Sequence, residues 1–392
     1  MARIKTFNKI APEGLTVLES RGHEVGPDVE DPDGIVVRSA KLHDLEFGPS
    51  LQAIARAGAG VNNIPVDRCT EHGVVVFNTP GSNANGVKEL VVAGLMLSSR
   101  RIVEGCSWAR SLDPSAVDVS KEVEAGKSAF AGPEVACKTL GVIGLGAIGV
   151  MVANAGIALD MEVVGYDPYL SVKAALSLSR DVKRMESLEA LLAASDYISI
   201  HVPLTEDTRN LLNRERLEQV RPGARILNFS RDGLVEENAL IAALENERVS
   251  RYVTDFPTAG ILGHPGVIPI PHLGASTPEA EMNSAAMAAR ELADYLEDGN
   301  ITRSVNFPEC VMDRNAGDRL IIANRNVPNI IGQITTILAG AGHNISDMLN
   351  RHRGELAYNI IDTDEAIKDT TLESLRSIQG IVMARVIHGS GT

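Results

Sequence analysis

Cysteine, positive charge and long hydrophobic runs are all scarce in this chain. Its 392 residues include only 4 cysteines, and 37 basic residues face 51 acidic ones, for a formal charge of −14. An excess of acidic residues argues against binding to nucleic acid or to an anionic membrane surface. The cysteines form no Cys-x-x-Cys pair, which argues against a zinc site or a disulfide framework; they are Cys69, Cys106, Cys137 and Cys310.

No uninterrupted apolar run approaches the roughly 20 residues that a membrane-spanning helix needs. The first residues, Met1–Ile10, also lack the apolar core of a signal peptide. We therefore expect a soluble, cytoplasmic protein with reduced thiols and no bound metal. A length of 392 residues and a hydrophobic content of 44% are sufficient for two or three domains, each with its own core.

Glycines at positions 144–149 are the most informative feature that is present. The apolar run Thr139–Ile143 leads into Gly144, Gly146 and Gly149, spaced Gly-x-Gly-x-x-Gly, and an alanine-rich helix follows. These glycines permit a tight turn, a close approach to a pyrophosphate and close helix packing, and the helix N-terminus offers free N–H groups. Asp167, roughly 20 residues beyond, can accept bonds from an adenosine ribose. The pattern predicts NAD rather than NADP; the alternative is a βαβ unit whose glycines serve packing alone.

The order of strand and helix patterns predicts an α/β protein. Residues 1–97 alternate β-rich and helical stretches, which predicts a small α/β domain. Residues 98–277 predict a Rossmann-type, doubly wound parallel sheet. A helix from Pro278 to Glu297 would return the chain to the first domain, so residues 278–305 are expected to complete a discontinuous, flavodoxin-like domain. The expected Rossmann strands are Leu140–Ile143, Glu162–Tyr166, Tyr197–His201, Arg225–Phe229, Arg251–Thr254 and Val267–Ile270.

A different pattern begins after a predicted linker at residues 306–318. Residues 319–392 show strand, helix, two strands, helix and strand in turn, beginning with a strand at Arg319–Asn324 and a helix at Ile330–Ala341. This βαββαβ order predicts a ferredoxin-like module.

Three polar residues end successive strands of the predicted Rossmann sheet. Ligands of open α/β sheets bind beyond the carboxyl ends of the strands, which is where Arg231, Asp255 and His272 fall. An arginine can bind a carboxylate with two hydrogen bonds, and a histidine can act as general acid or base near neutral pH. Asp255 can accept from a nicotinamide carboxamide. His201 also ends a strand, which we count as the third of the Rossmann sheet. We assign His201 to cofactor contact rather than to catalysis. For any single histidine at a strand end, the alternative is a structural hydrogen bond.

These features together resemble the D-2-hydroxyacid dehydrogenase family, and within it the phosphoglycerate dehydrogenases that carry a C-terminal ACT domain. The resemblance covers nearly the whole chain. It is carried by Arg56–Ile64, Asn78–Pro80 with Asn83 and Glu89, the Gly144 motif, His201–Leu204, Asn228–Arg231, Asp255 and Pro271–Gly274.

The resemblance implies a role for each matching residue. Arg231 would bind the substrate carboxylate, and His272 would exchange the proton on the C2 oxygen, while hydride passes between C2 and NAD. The implied substrate residues are Arg38, Ser39, Ala59, Gly60, Asn83 and Arg231. The implied cofactor residues are Gly144, Gly146, Ala147, Ile148, Gly149, Asp167, His201, Val202, Pro203, Phe229, Ser230, Arg231, Asp255, His272, Gly274 and Ala275.

Arg38 and Ser39 lie where such enzymes hold a phosphorylated substrate, which implies oxidation of 3-phospho-D-glycerate to 3-phosphohydroxypyruvate in serine biosynthesis. An Arg38 that is merely exposed to solvent would favour a reductase of glyoxylate, hydroxypyruvate or another 2-keto acid. The family also places a glutamate about five residues after Asp255 to pair with the catalytic histidine, yet residues 256–278 contain no acid. A non-catalytic NAD(H)-sensing protein is therefore the third hypothesis.

The ACT resemblance implies binding of an amino-acid effector between paired subunits. Asn326 and Asn344 match asparagines that bind the effector in some ACT domains, so L-serine is the candidate effector. A module that serves only dimerisation is the alternative, because a fold alone does not establish an effector. A homodimer or homotetramer is expected.

Overall fold

A computed structural model describes residues 1–315 and 317–389. The end of the predicted C-terminal module, residues 390–392, and residue 316 of the predicted linker lie outside the described residues. The chain forms two compact units: Met1–Ser82 with Glu281–Thr392, and Asn83–Ala280. The sequence predicts the first boundary between residues 97 and 98, whereas the structure groups the helix at 84–99 with the second unit.

The first unit begins with a five-stranded parallel sheet in the order β2-β1-β3-β4-β5. This order is flavodoxin-like, as expected. Strand β3, Gly-Ile-Val-Val, is buried along its whole length, which explains its uninterrupted apolar sequence. The elements are β1 (Arg3–Phe7), α1 (Pro12–Ser20), β2 (Glu24–Gly26), β3 (Gly34–Val37), β4 (Ala53–Arg56), α2 (Val66–Glu71) and β5 (Val75–Asn78).

The second unit contains a seven-stranded parallel sheet in the order β12-β11-β10-β9-β6-β7-β8. Its elements are α3 (Ala84–Ser99), α4 (Ile102–Ser111), α5 (Val119–Gly126), a 3-10 helix (Lys127–Phe130), β6 (Thr139–Ile143), α6 (Ala147–Ala158), β7 (Glu162–Tyr166), α7 (Val172–Ser177), β8 (Lys183–Arg184), α8 (Leu188–Ala194), β9 (Tyr197–Ile200), α9 (Arg214–Gln219), β10 (Ala224–Asn228), α10 (Glu237–Glu245), β11 (Val249–Thr254) and β12 (Val267–Pro269). Strand order reverses between β6 and β9, so this is the predicted doubly wound sheet.

One strand of this sheet was not predicted from the sequence. Strand β8 has only two residues, Lys183 and Arg184, both exposed, so it carries no apolar signal. Because β8 precedes β9 along the chain, His201 follows the fourth strand of the sheet rather than the third. That strand, β9, lies directly beside β6, at the point where strand order reverses.

The first unit is completed by helix α11 and a four-stranded antiparallel sheet. The sheet has the order β14-β15-β13-β16 and the predicted βαββαβ connectivity. Its elements follow α11 (Pro278–Asp298) and are β13 (Asp318–Arg325), α12 (Ile330–Gly340), β14 (Ile345–Arg353), β15 (Leu356–Thr363), α13 (Asp369–Arg376) and β16 (Ile381–Ile387).

Both faces of this antiparallel sheet are covered. Leu320 and Ile361 pack with α12 and α13, whereas Ile321, Tyr358 and Ile360 share a core with α11 and the first parallel sheet. The segment predicted as a linker contributes to that shared core, because Phe307 and Cys310 are each only 1% exposed. The C-terminal module is thus packed against the rest of the unit, and residues 306–310 are not a free connection.

A fully buried ion pair joins β13 to β15. Arg319 donates to both carboxylate oxygens of Asp362, at 2.7 and 2.8 Å, and their side chains are 0% and 1% exposed. Its remaining N–H groups donate to the carbonyls of Asp298, Met312 and Asp313. All donors of the buried guanidinium are therefore directed at acceptors, as burial of a charge requires.

Candidate active site

The glycine-rich turn joins β6 to α6 and has the backbone geometry expected of a phosphate-binding turn. Gly144 has φ +87°, and a Cβ at this position would lie 2.6 Å from the His201 carbonyl oxygen. A Cβ on Gly149 would overlap the Gly144 carbonyl. At Gly146 a Cβ would meet no atom within 4 Å, so this position is open. The N-terminus of α6, starting at Ala147, has no side-chain cap, so its N–H groups are free to bind an anion.

Asp167 is tied directly to this turn. One carboxylate oxygen accepts from the Leu145 N–H at 2.8 Å, and the other accepts from the Tyr169 N–H at 2.8 Å. The carboxylate is thereby fixed beside the Gly144 turn, where a ribose would bind. The role of Leu145 was not predicted, since a backbone N–H leaves no signal in side-chain type.

His201 and Val202 lie against the first glycine of the turn, Gly144. The His201 carbonyl and the Val202 side chain both lie within 3 Å of the Cβ position of Gly144. The His201 Nε2 atom shares a 2.8 Å hydrogen bond with Ser199, and burial lowers the pKa of the imidazole to about 3. A neutral imidazole at physiological pH agrees with a structural or cofactor-contacting role and not with proton transfer. Beyond it, the Pro203 carbonyl accepts from Thr208.

The turn that follows β10 presents Arg231. The buried Asn228 side chain donates to the Arg231 carbonyl at 2.9 Å and accepts from the Ser230 N–H at 3.2 Å, which closes the turn. Ser230 is held by its hydroxyl, which donates to the Ile200 carbonyl, and Phe229 is 4% exposed. The Arg231 guanidinium donates one bond to the Ser230 carbonyl, but the residue is exposed. Asn228 thus positions the arginine, a role that the sequence did not indicate.

Arg231, Asp255 and His272 come together as predicted. Asp255 is 2% exposed, and burial raises the pKa of its carboxyl, while the positive charges of His272 and Arg231 lower it. One Asp255 oxygen has no hydrogen-bond partner among the described residues. The His272 ring packs on Phe256, with 4.6 Å between ring centroids. An unpartnered buried carboxylate oxygen beside a histidine and an arginine is a suitable acceptor for a ligand N–H.

The loop after Asp255 has no acid of its own, yet a carboxylate borders it. Glu237, the first residue of α10, accepts from the Thr258 hydroxyl, and its carboxylate fills the space that a side chain at Gly260 would need. The acids beside the loop therefore come from Asp255 at its start and from helix α10. Further along, Gly274 packs against Gly86 and Val87 of α3, and Ala275 is exposed.

The substrate residues expected in the first unit lie beyond the carboxyl ends of β3 and β4. The Asn78 side chain donates to the Ala59 carbonyl at 2.6 Å, and Arg56 donates to the Gly60 carbonyl. Among the described residues, nothing accepts from the N–H groups of Ala59 and Gly60. Backbone N–H groups of this kind are suitable donors to a carboxylate.

Arg38 differs from expectation in one respect. Its guanidinium pairs with Glu281 of α11 at 2.5 Å, so part of its charge is already compensated. Ser39 beside it is exposed. Asn83 precedes α3 but forms no side-chain cap.

The two expected effector residues lie at opposite ends of α12. The Asn326 side chain donates to the Gly354 carbonyl at 3.3 Å, and the Asn344 side chain donates to Asp364 at 2.5 Å. Helix α12 has 11 residues, which corresponds to roughly 16 Å. One small amino acid cannot contact both asparagines of the same chain.

No helix within residues 1–315 and 317–389 is long and apolar enough to cross a membrane. In the same residues, no group of three or more His, Cys, Asp or Glu side chains is arranged to hold a metal ion.

Comparison with known proteins identifies relatives over most of the chain. Residues 102–274 match the D-isomer specific 2-hydroxyacid dehydrogenase NAD-binding domain. The chain is 34% identical to the D-3-phosphoglycerate dehydrogenase of Bacillus subtilis over 334 residues, 81% of this chain and 61% of the relative. It is 34% identical to the enzyme of that name from Synechocystis, over 80% of this chain and 57% of the relative. The chain thus spans about 60% of the length of these curated relatives.

A solved structure of a 3-phosphoglycerate dehydrogenase is also similar to this chain. The NAD+-bound 3-phosphoglycerate dehydrogenase of Entamoeba histolytica aligns with a TM-score of 0.59 and 26% identity, covering 78% of this chain and 98% of that one. The glycine turn, Asp167 and the Arg231, Asp255 and His272 group all fall in the second unit, and all but Ala275 of the expected cofactor residues fall within the matched segment. The chain therefore carries the NAD-binding domain of the D-isomer specific 2-hydroxyacid dehydrogenase family.

Proposed function

We propose that this chain oxidises 3-phospho-D-glycerate to 3-phosphohydroxypyruvate with NAD, as the first step of serine biosynthesis in the cytoplasm. The observation that carries the proposal is the grouping of Arg231, Asp255 and His272 in the unit that contains the glycine turn. The similarity to D-3-phosphoglycerate dehydrogenases supports the same reaction.

The residues of the second unit fit NAD. The open position at Gly146 and the free N–H groups of α6 suit the pyrophosphate, and the fixed Asp167 carboxylate suits the adenosine ribose hydroxyls. The unpartnered Asp255 oxygen suits the carboxamide N–H. When bound, NAD supplies the acceptor for the hydride that leaves C2.

Side chains of this chain would transfer the proton and bind the substrate carboxylate. His272 takes the proton of the C2 hydroxyl during oxidation, and the nearby Asp255 charge stabilises the imidazolium that forms. Arg231 binds the carboxylate with its exposed guanidinium. In the first unit, the N–H groups of Ala59 and Gly60 and the Arg38 guanidinium are the donors that the resemblance assigns to the substrate.

NADH formation with 3-phosphoglycerate tests this proposal. We expect turnover by the wild type, a loss of roughly 10²–10⁴ in kcat for His272→Gln, and a raised KM for Arg231→Lys, which keeps the charge but loses the paired hydrogen bonds. Wild-type turnover that persists in His272→Gln would refute the assigned proton transfer. Absence of turnover with any 2-hydroxy acid would favour an NAD(H)-sensing protein.

A reductase of glyoxylate, hydroxypyruvate or another 2-keto acid is the second candidate. The Arg38–Glu281 ion pair favours it, because a compensated arginine binds a phosphate less strongly. A higher kcat/KM for glyoxylate with NADH than for the phosphorylated substrates would select this candidate.

We further propose that L-serine binds between two copies of the chain. The separation of Asn326 and Asn344 along α12 supports a site made by one asparagine from each copy. This requires a homodimer or homotetramer. Calorimetry with L-serine, combined with light scattering, should show binding by the oligomer that Asn344→Ala abolishes. Binding to a monomer, or no binding at millimolar serine, would contradict the proposal.

A further inference from the structure

The loop that follows β11, residues 256–266, supports the ring of His272 within the second unit. The Phe256 ring packs on the His272 ring, with 4.6 Å between the centroids and 51° between the ring planes. His272 is exposed, so without this contact its side chain would be free to change rotamer. The position of the imidazole therefore depends on where the loop holds Phe256.

The loop is fixed at two points beyond Phe256. Ile261 is 4% exposed and packs in the core that α10 shares with the sheet. Closer to Phe256, the Thr258 hydroxyl donates a hydrogen bond to the carboxylate of Glu237, the first residue of α10. Because Thr258 is near Phe256 along the chain, this hydrogen bond restrains the part of the loop that carries the aromatic ring.

The loop leaves room for the Glu237 carboxylate at Gly260. A Cβ on Gly260 would overlap the carboxylate, so a residue with a side chain would push Glu237 away. Pro257, Ala259 and Gly260 are exposed and contribute little packing of their own. The hydrogen bond between Thr258 and Glu237 is therefore the polar anchor of this stretch of the loop.

Glu237 belongs to the segment that begins with the Arg231 turn. Between the two residues, Leu234 is fully buried, and its carbonyl accepts from the Leu212 N–H at 3.0 Å. The segment is thus held in place from the turn to the start of α10. The Glu237 hydrogen bond joins the segment that presents Arg231 to the loop that supports His272.

We propose that Glu237 is a positioning residue that fixes the placement of His272 relative to Arg231. The Glu237 carboxylate holds Thr258, the loop holds Phe256, and the Phe256 ring holds the imidazole. This role requires an acceptor oxygen and does not require the negative charge. The inference rests on the proposed function, because it takes His272 as the group that transfers the proton and Arg231 as the group that binds the substrate carboxylate.

Steady-state kinetics with 3-phosphoglycerate and NAD measure the effect on turnover. Glu237→Ala and Thr258→Val each remove the hydrogen bond and should lower kcat about 10- to 100-fold, since a displacement of ~1 Å can cost this much rate. KM for NAD should keep its wild-type value, because the glycine turn and Asp167 are unchanged. The solvent deuterium isotope effect on kcat should rise, because proton transfer becomes the slow step.

Conservative variants and a matched control separate positioning from general stability. Glu237→Gln keeps an acceptor and Thr258→Ser keeps a donor, so both should recover most of the lost kcat. Glu245→Ala removes a carboxylate from the exposed end of the same helix and should keep the wild-type kcat. A Glu237→Ala variant with a lowered Tm but an unchanged isotope effect would overturn the inference, and so would a Glu237→Gln variant as slow as Glu237→Ala.

NMR of the full chain tests the same contact without turnover. The Phe256 ring current shifts the signal of the His272 Cε1–H proton, which the His272→Gln variant identifies. Glu237→Ala should move this signal towards its position in Phe256→Leu, whereas Glu237→Gln should keep it. If the signal moves in this way but the wild type oxidises no 2-hydroxy acid, the proposed function fails and the positioning of the ring stands. If the wild type oxidises 3-phosphoglycerate and the signal does not move in Glu237→Ala, the inference fails and the proposed function stands.

Discussion

The buried carboxyl group of Glu291 provides a quantitative test of how burial changes the pH dependence of the free energy of unfolding. It lies on α11 and is 3% exposed, and one of its carboxylate oxygens accepts from Arg303 at 2.6 Å. The other oxygen has no partner among the described residues. Burial raises the pKa of the Glu291 carboxyl from 4.5 to about 7.

The sign of the pH effect follows from this rise. Below pH 4.5 the carboxyl is protonated in the folded and unfolded states, so it does not change stability with pH. Between pH 4.5 and about 7 the unfolded chain ionises first, and the free energy of unfolding falls as the pH rises. Since the interval is about 2.5 pH units and each unit corresponds to roughly 1.4 kcal/mol, the free energy of unfolding falls by about 3.5 kcal/mol in total.

Urea unfolding of the wild type and of Glu291→Gln, followed by circular dichroism from pH 5 to pH 8, measures this loss. We expect the variant to lose about 2–3 kcal/mol less than the wild type over that range. Glu245→Gln, at an exposed position of α10, is the matched control and should follow the wild type. If Glu291→Gln and the wild type show the same pH dependence, the carboxyl titrates normally in the folded protein and the reasoning fails.

Three further predictions concern other parts of the chain. Asp167→Asn should narrow the kcat/KM preference for NAD over NADP about tenfold, because it removes a charge that would repel a 2′-phosphate; an unchanged ratio would contradict this. Arg319→Met should cost about 3–5 kcal/mol in urea unfolding by leaving Asp362 buried and unpaired. Adding Asp362→Leu should restore most of that loss, and a further loss would refute the argument. His201→Gln should leave the shape of the pH–rate profile unchanged between pH 5 and 9, because the pKa of His201 is already lowered to about 3 by burial; a shifted limb would show that His201 titrates during turnover.

The cofactor-binding part of the site was the most predictable from sequence. Glycine is required where Gly144 adopts a positive φ and where Gly149 meets the Gly144 carbonyl, so the residue types themselves report the backbone geometry. Six of the seven strands of the second sheet were also predicted, because buried strands have continuous apolar sequences. Strand β8 was not predicted because its two residues are exposed and give no apolar signal.

The partners of charged residues were not predictable. Nothing local relates Arg38 to Glu281, which lies 243 residues later in the chain, or Glu237 to the loop at Thr258. The sequence also suggested a linker at residues 306–318, since Pro, Asn and charged residues dominate there. Tertiary packing instead buries Phe307 and Cys310 against the C-terminal sheet.

The sequence by itself determined the fold class, the dinucleotide turn and the identities of the polar residues that end the strands of the Rossmann sheet. These depend on periodicity and on local backbone requirements, which neighbouring residues encode. Only the tertiary structure decided which charges are compensated: Arg38 by Glu281, Arg319 by Asp362, and the Asp255 carboxyl by His272 and Arg231. Electrostatic and packing contacts join residues that are distant along the chain, so their strength depends on separation and burial in the folded state.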